Sequence, residues 1–556
     1  MDSQRTILVI ALLVLSFFMF QQWQLKGGNT PGIDATTAPQ VAEPAANNDV
    51  PQATGDIPVA GNNNASPTTE TTAVEGDTII VSTDVLRVEI SLRGGDLIKS
   101  ELLEHAETLG EEGRYTILYQ RPGNLHIAQS GLIGPDGVDS ADSRPVYSAQ
   151  RRSYELNGDT LVVPLVYTQE DGTEITKTYS FERGDYAVHV DYTVTNNSER
   201  AKTMSMYGQL KQTMLGGGRD SMFMPTYRGA AYSAESNRYK KYSFSDIQDS
   251  ALSNNTPAGW VAMLEHYFVT AWVPDQEVTN RLYTNNNALG EGMIGFIGPA
   301  HTVAPGERLE LSSALYMGPK DQARLKELAE HLNLTVDYGF LWWLAQPIYW
   351  LLSLLQSFVI NWGLAIILVT VIIKSLLYPL TKAQYVSMAK MRKIAPKMKE
   401  MRERIGDDRQ KMSAAMMKMY KEEKVNPLGG CLPMLLQLPI FLALYWVLLE
   451  SPEIRHADFM LWINDLSSRD PYFILPLLMG ASMWLMQRLQ PTPVTDPMQQ
   501  KILQFMPIIF TVFFLFFPAG LVLYWLVSNL ISITQMTWIY RQIEKQDEKK
   551  SKAKAR

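Results

Sequence analysis

The sequence predicts two unlike structures in one chain: an all-β domain of sandwich type, then an α-helical polytopic membrane bundle with six transmembrane helices. Three observations carry this. From Phe340 to Tyr540 the chain is dominated by long apolar runs, whereas up to Asn333 it is polar and mixed. Between Leu161 and Val194, β-branched and aromatic residues alternate with polar ones, and the breaks fall at Asp171-Gly172 and Gly184-Asp185. Lys and Arg are concentrated in two of the segments that flank the apolar runs. With 556 residues the chain exceeds what one hydrophobic core needs, and its net charge of −7 averages over both halves. The single cysteine, Cys431, excludes an intramolecular disulfide.

Ile7 to Phe20 is apolar, preceded by Arg5 and followed by Gln21, Gln22 and Trp23. A cleaved signal peptide has an apolar core of this length, but no small-x-small cleavage site follows. We therefore expect an uncleaved transmembrane anchor over residues 1–25, with Trp23 at the outer interface. Residues 26–77, rich in Ala, Thr, Pro, Asn and Gly, cannot bury enough apolar surface to offset chain entropy, so a flexible linker is expected there. Residues 78–333 should form the β domain, with a tight hairpin at Asp171-Gly172 and a short amphipathic helix over Lys320–Leu332. Residues 334–360 are apolar and aromatic but carry Gln346, Pro347 and Gln356. Trp342, Trp343 and Trp350 suit the headgroup level, so this segment reads as an interfacial helix rather than a span.

The second to fourth spans are expected at 361–380, 431–449 and 472–490, with a short cytoplasmic loop at 491–501. The run from Ile502 to Tyr540 has 39 residues and no charge. One span takes about 20 residues, so this run divides into spans at 502–518 and 519–540, broken at Pro518-Ala519-Gly520. Charge then sets the orientation. Residues 381–430 carry 13 Lys and Arg against 6 Asp and Glu; the tail, 541–556, carries 7 against 3; the loop 450–471 carries 2 against 5. Positive segments stay in the cytoplasm. Both termini and residues 381–430 are expected on the cytoplasmic side of the membrane; the β domain and the 450–471 loop are expected on the outer side.

Lys374 is the sharpest functional candidate. It lies 13 residues into its span from the outer side, about 20 Å at 1.5 Å per residue. A mid-bilayer charge costs about 2.5–3.5 kcal/mol on insertion scales. Position alone leaves two readings open, a lysine snorkelling to the inner headgroups and a cation facing a cavity. The neighbours favour the cavity. Thr370 and Tyr378 share its face at i, i+4 spacing, and the last span has a polar stripe of Trp525, Asn529, Ser532 and Gln535 flanked by Tyr524 and Ser528. Gln437 adds to it from the third span, and Gln504 and Thr511 from the fifth. Singly, each suits ordinary interhelical hydrogen bonding; with a cation among them, they suggest a wetted cavity.

Residues 381–430 read as a charged helical hairpin, with arms over Ala383–Arg404 and Arg409–Val425 and a turn at Gly406-Asp407-Asp408. Met391, Ile394, Met398, Met401 and Ile405, and Met412, Met416 and Met419, have 3–4 spacing. We read these as the hairpin's own seam; the alternative is a Met-rich surface that receives apolar segments. The basic tail is open to two readings, contact with anionic lipid or RNA, or a solvated flank. No metal-ligand pair of histidines, phosphate loop or nucleophile motif is present, so neither an enzyme nor a cofactor is expected. Two rival classes, a solute carrier using Lys374 as an anion site and a sugar-processing enzyme in the β domain, have less support: internal symmetry and an acid/base pair, respectively, are not evident.

The stretches YPLTKAQYVSMAKMRKIAPKMKEMRERIGDD, VNPLGGCLPMLLQLPIFLALYWVLL and VTDPMQQKILQFMPIIFTVFFLFFPAGLVLYWLVSNL resemble, in order and wording, the core of the YidC/Oxa/Alb family, over about Leu334 to Tyr540. The anchor, linker and large β domain are similar to the family's Gram-negative arrangement. The resemblance implies a membrane protein insertase and chaperone, acting alone or with the Sec translocon. It implies five helices forming the insertase core around a hydrophilic groove that is open to cytoplasm and lipid, beside a periplasmic supersandwich. It places the groove cation, usually arginine, at Lys374, with Thr370 and Trp525 as functional partners. Lysine keeps the charge but lacks the planar fork that grips a carboxylate with two bonds. Substrate is expected to slide along the third and fifth spans, at Gln437, Leu438, Pro439 and Phe513. Implied partners are nascent membrane proteins, the Sec translocon with its SecDF accessory complex, the ribosome through the tail, and lipids; no DNA is expected.

Overall fold

The computed structural model describes residues 57–58, 78–140, 143–214, 227–406, 409–423, 428–489 and 497–554. The expected anchor and all but two residues of the expected linker lie outside these. The described residues fall into two compact units that divide between Val336 and Asp337.

The first unit is a β-sandwich of one 11-stranded and one 9-stranded sheet. Its first strand starts at Thr78, and it carries two short helices, α1 (Phe244–Asp249) and α2 (Gln322–Leu328). The helix expected over Lys320–Leu332 is thus shorter, capped by Asp321 and followed by a 3-10 turn at Leu332–Thr335. The alternating stretch forms three antiparallel neighbours, Thr160–Thr168, Glu174–Glu182 and Ala187–Thr195. The first pair turns at Asp171-Gly172, where the Asp171 carboxylate accepts from the Thr173 N–H at 3.1 Å and Gly172 takes φ +86°. Glycine meets no Cβ penalty in that conformation.

Ile175, Lys177, Tyr179 and Phe181 occupy the inward positions of one strand, so the period-2 pattern places a lysine in the core. Lys177 is fully buried and donates to the carbonyls of Gly94 (3.0 Å), Gly95 (2.9 Å) and Ser130 (3.2 Å) on the opposite sheet. Its ammonium also lies 5.4 and 5.3 Å from the ring centres of Tyr179 and Tyr192. Burial pushes its pKa down to about 7, while the carbonyls and ring faces favour the charged form. Beside it, Arg144 bridges two buried carboxylates, Asp96 at 2.7 Å and Asp139 at 2.7 Å. One linker residue departs from expectation. Ile57 is buried against Ile133, Tyr207, Tyr283 and Ile297, so at this point the segment packs on the sandwich instead of running free.

The second unit is helical. Helix α3 (Trp342–Val359) leaves Trp342, Trp343 and Trp350 exposed. Helix α4 (Trp362–Leu376) starts at Asn361, whose side chain caps the Leu364 N–H at 3.0 Å. The straight helix ends four residues before the expected end at 380. The chain bends by 63° there and continues as α5 (Tyr378–Ile405). Pro379 explains the break, because it has no N–H for the carbonyl one turn earlier and its ring crowds that carbonyl. Tyr378 therefore leaves the Lys374 face and instead meets Trp538, at 5.8 Å.

Helix α6 (Arg409–Glu422) returns against α5 after Gly406, at φ +68°. Ile394, Met398 and Met419 are buried between the arms, with Met391, Met401, Met416 and Tyr420 packed on them. These residues make the hairpin's own seam. Next come α7 (Leu428–Glu450), α8 (Ile474–Leu489), α9 (Pro497–Phe514) and α10 (Ala519–Lys554). The expected break at Pro518-Ala519-Gly520 is where α10 begins. The 450–471 loop satisfies its first N–H groups: Ala519 donates to the Ser468 carbonyl at 2.7 Å and Gly520 to Leu466 at 2.9 Å. Past Tyr540 the chain remains helical to Lys554. Met536 and Ile539 pack with Tyr385 of α5, and Lys393 pairs with Asp547. The tail thus leaves the bundle as a continuation of the last helix, alongside the first arm of the hairpin.

By length and composition, one described helical segment can cross a membrane unaided, Ala519–Glu548; α4 with the start of α5 passes the same test as a bent pair. Gln437–Glu450, Ile474–Leu489 and Gln504–Phe514 are shorter apolar helices.

Candidate functional site

Lys374 sits on α4 where that helix packs against α10. It is 6 % exposed. Its ammonium points into the bundle and donates to Ser532 Oγ at 3.0 Å. The Gln535 amide donates to the Lys374 carbonyl at 3.3 Å, and the Tyr385 hydroxyl lies 3.4 Å from the Ser532 carbonyl. One turn before Lys374, buried Thr370 donates to the Ile366 carbonyl at 2.6 Å, a bond that satisfies its hydroxyl within its own helix. Among the described residues no carboxylate lies within ion-pair distance of Lys374. A buried cation held by one neutral hydroxyl retains unused hydrogen-bonding capacity and an uncompensated field.

The stripe on α10 extends from this point in layers. Asn529, buried, donates to Ser482 Oγ of α8 at 2.9 Å, and Ser528 is buried beside it. The next layer is aromatic. Trp525 lies 4.6 Å from Phe441, 4.9 Å from Phe514 and 6.2 Å from Phe510, centre to centre. Tyr524 stacks on Phe441 at 6.1 Å. The α10 stripe therefore joins four helices: α4 through Lys374, α8 through Asn529, and α7 and α9 through the Trp525 cluster.

The remaining candidates lie elsewhere on the unit. On α7, Leu438 is 51 % exposed, with Gln437 and Pro439 half-buried. On α9, Phe513 is half-buried against Phe514 and Phe517, at 5.6 and 4.7 Å. The described contacts do not bring these four to Lys374. Of Ser532 and Gln535, which the sequence marks only as members of a stripe, Ser532 is the direct partner of the cation and Gln535 holds the backbone carbonyl of Lys374. Their i, i+3 offset on one helix face was the available signal; which of the stripe residues meets Lys374 depends on the crossing of α4 and α10. Among the described residues no cluster of side chains suits a metal.

One end of the helical unit is held by the 450–471 loop. Asn361 donates to the Phe459 carbonyl at 3.0 Å, and the Phe459 ring lies so close to Gly363 that a Cβ there would sit 2.0 Å from it. Gly363→Leu should expel Phe459. Hydrogen exchange across 450–471 is expected to rise by about tenfold or more, about 1.4 kcal/mol of local stability; unchanged protection would contradict the packing argument.

A helical unit whose described residues include one buried cation without a carboxylate partner, joined to a β-sandwich, defines the class: a two-part protein whose helical unit offers a charge and a polar stripe within apolar surroundings. Comparison with known proteins makes this specific. Residues 78–351 match the family described as YidC periplasmic domain, and residues 354–547 match the family described as 60Kd inner membrane protein. The chain is 54 % identical over 549 residues to the membrane protein insertase YidC of Shewanella amazonensis, covering 98 % of this chain and 99 % of the relative. It is 51 % identical over 554 residues to the protein of that name from Actinobacillus succinogenes, covering 98 % of each. A solved structure of an active YidC insertase with its first transmembrane domain resolved is 19 % identical, with a TM-score of 0.37, covering 84 % of this chain and 93 % of that one. The chain belongs to the YidC family.

Proposed function

We infer that this protein is a membrane protein insertase, which takes nascent inner-membrane proteins as substrates. Its similarity to relatives of that name runs the length of the chain. For mechanism, the observation that counts most is Lys374, buried, turned toward α10 and without a carboxylate partner among the described residues. In our reading the helical unit crosses the inner membrane with five helices, α4, α7, α8, α9 and α10, and the anchor adds a sixth. Both termini are cytoplasmic and the sandwich is periplasmic.

A hydrophobic segment first meets the hairpin of α5 and α6. Its short acidic flank then enters a hydrophilic groove opening to the cytoplasm and approaches Lys374, with Thr370, Gln437, Tyr524, Trp525, Ser528 and Asn529 as the polar and aromatic lining. The positive outside potential favours outward movement of the anion by about 2.3 kcal/mol per charge per 100 mV. The apolar part leaves into lipid along Leu438, Pro439 and Phe513. No nucleotide enters this scheme. The Sec translocon with SecDF, the ribosome through the tail, and lipids are partners on the same reading. Photocrosslinkers at Gln437, Phe513 and Trp525 should capture stalled nascent membrane proteins, and one on the exposed outer face at Leu461 should not. Equal capture at all four positions would sink the groove route.

A further inference from the structure

One strand of the sandwich is covered along only part of its length. Strand Arg308–Pro319 pairs with Ala187–Thr195 as far as Arg308, but its other neighbour, Phe268–Pro274, accompanies it only from Pro319 to Ser313. That neighbour stops at Pro274, which has no N–H to extend the ladder. Asp275 then turns the chain, its carboxylate accepting from the Glu277 N–H at 2.9 Å, and Thr279–Asn286 joins the opposite sheet. Among the described residues, Arg308–Ser312 therefore has no strand on one side.

The ladder shows which backbone groups face that side. In an antiparallel strand the N–H and C=O of one residue point the same way, and successive residues alternate. Lys320 donates to the Tyr267 carbonyl, on the side of Phe268–Pro274, and Met317 donates to the Tyr186 carbonyl on the other side, each at 3.0 Å. Neither register is interrupted by a bulge. The N–H and C=O of Glu310 and Ser312 thus point to the uncovered side, where no backbone partner meets them among the described residues. A cavity of about 440 Å³ lies along this edge and joins the two sheets. Leu311, with Met206 and Phe296 of the opposite sheet, gives it an apolar side, and Asp191, Asp275 and Glu310 give it an acidic one; no Lys or Arg lines it. Asp191 accepts from Ser312 Oγ at 2.5 Å, and Glu310 pairs with the exposed Arg308 at 2.6 Å.

Edge and cavity together restrict what fits. An added strand would lie about 4.8 Å away and exchange hydrogen bonds with Glu310 and Ser312. Its residues opposite those two would share their face of the sheet, which Asp191 also occupies as the register partner of Ser312. Its alternate residues, opposite Leu311, would turn to the apolar side. Cationic side chains suit the first set and aliphatic ones the second. The expected linker does not supply such a segment, because residues 27–77 contain no Lys or Arg. We propose that the uncovered edge of Arg308–Ser312 receives, by strand addition, an extended segment of a partner protein in which basic and apolar residues alternate.

The test uses the full-length protein in nanodiscs of uncharged phosphatidylcholine, so that lipid does not capture a basic probe. Fluorescence anisotropy is recorded with a labelled heptapeptide of alternating lysine and valine. Two further peptides serve as controls: one with glutamate for lysine, and one methylated on the lysine amides, which face the edge in this pairing. Both should bind about tenfold or more weakly than the first. Asp191→Asn with Asp275→Asn should weaken the first peptide similarly. Glu310→Pro removes an N–H that bonds no neighbour, a position where an edge strand tolerates proline, and should weaken it well beyond Glu310→Gln. Circular dichroism verifies folding; should Glu310→Pro not fold, the methylated peptide on wild type decides the same point. No binding of the lysine–valine peptide, equal binding of either control, or binding unchanged in the folded variants would each overturn the proposal. Dimers of the wild type that are lost in folded Glu310→Pro, read by mass photometry, would assign the edge to a second copy of this chain and overturn it too.

Discussion

Lys374→Ala is expected to reduce insertion of single-span substrates with short acidic flanks by about tenfold or more, the factor that corresponds to a loss of about 1.4 kcal/mol. The electrostatic attraction in an apolar, poorly screened bundle exceeds that of an exposed pair. Lys374→Arg should retain insertion, because the charge persists and the fork adds a second contact to a carboxylate. Lys374→Glu should fall below Lys374→Ala, since it repels the flank. Protease protection of a tagged substrate in cells depleted of the wild-type protein reads all three, and substrates with uncharged flanks should be affected least. If Lys374→Ala inserts acidic-flanked substrates as well as wild type, the cation has no electrostatic part in the process.

The second large effect lies in the sandwich. Arg144→Met leaves Asp96 and Asp139 buried with no guanidinium between them. Removing one partner from a buried ionic group costs about 3–5 kcal/mol, which is a large share of a domain's net stability. Denaturant unfolding followed by the near-ultraviolet signal of the sandwich tyrosines and tryptophans should show the midpoint fall accordingly. Adding Asp139→Asn should restore part of the loss, because one of the stranded charges is then neutral. A midpoint within error of wild type would mean that water or Lys177 replaces the guanidinium.

Several features were legible because they rest on neighbours in sequence. The 161–195 hairpins follow from period-2 alternation and from turn residues whose φ is positive in the structure, Gly172 and Gly184. The arms of α5 and α6 follow from 3–4 spacing, which also placed Met398 and Met419 in the seam. The start of α10 follows from the length of an uncharged run and one Pro-Ala-Gly. The site was legible to the extent of its cation and its stripe.

Other features were not legible, because their partners lie far apart in the chain. Arg144 reaches Asp96, 48 residues away, and Lys177 reaches Gly94, 83 residues away; neither pairing leaves a local pattern. Pro379 was visible, but a 63° bend at Leu377, which removes Tyr378 from the Lys374 face, needed the helix that follows. Likewise, burial of Ile57 depends on a face of the sandwich that composition cannot show.

By itself the sequence determined where the chain is apolar, where it alternates, which segments carry charge, and that one lysine lies within a long apolar run. These are local properties, set by hydrophobicity, backbone propensity and the cost of moving charge into an apolar medium. Tertiary structure alone decided that Lys374 turns to Ser532 rather than toward the helix end, that Gln535 rather than Tyr378 joins it, and that Asn529 ties α10 to α8. Those choices follow from how α4, α8 and α10 cross, and a helix crossing is settled by the packing of all the facing side chains together.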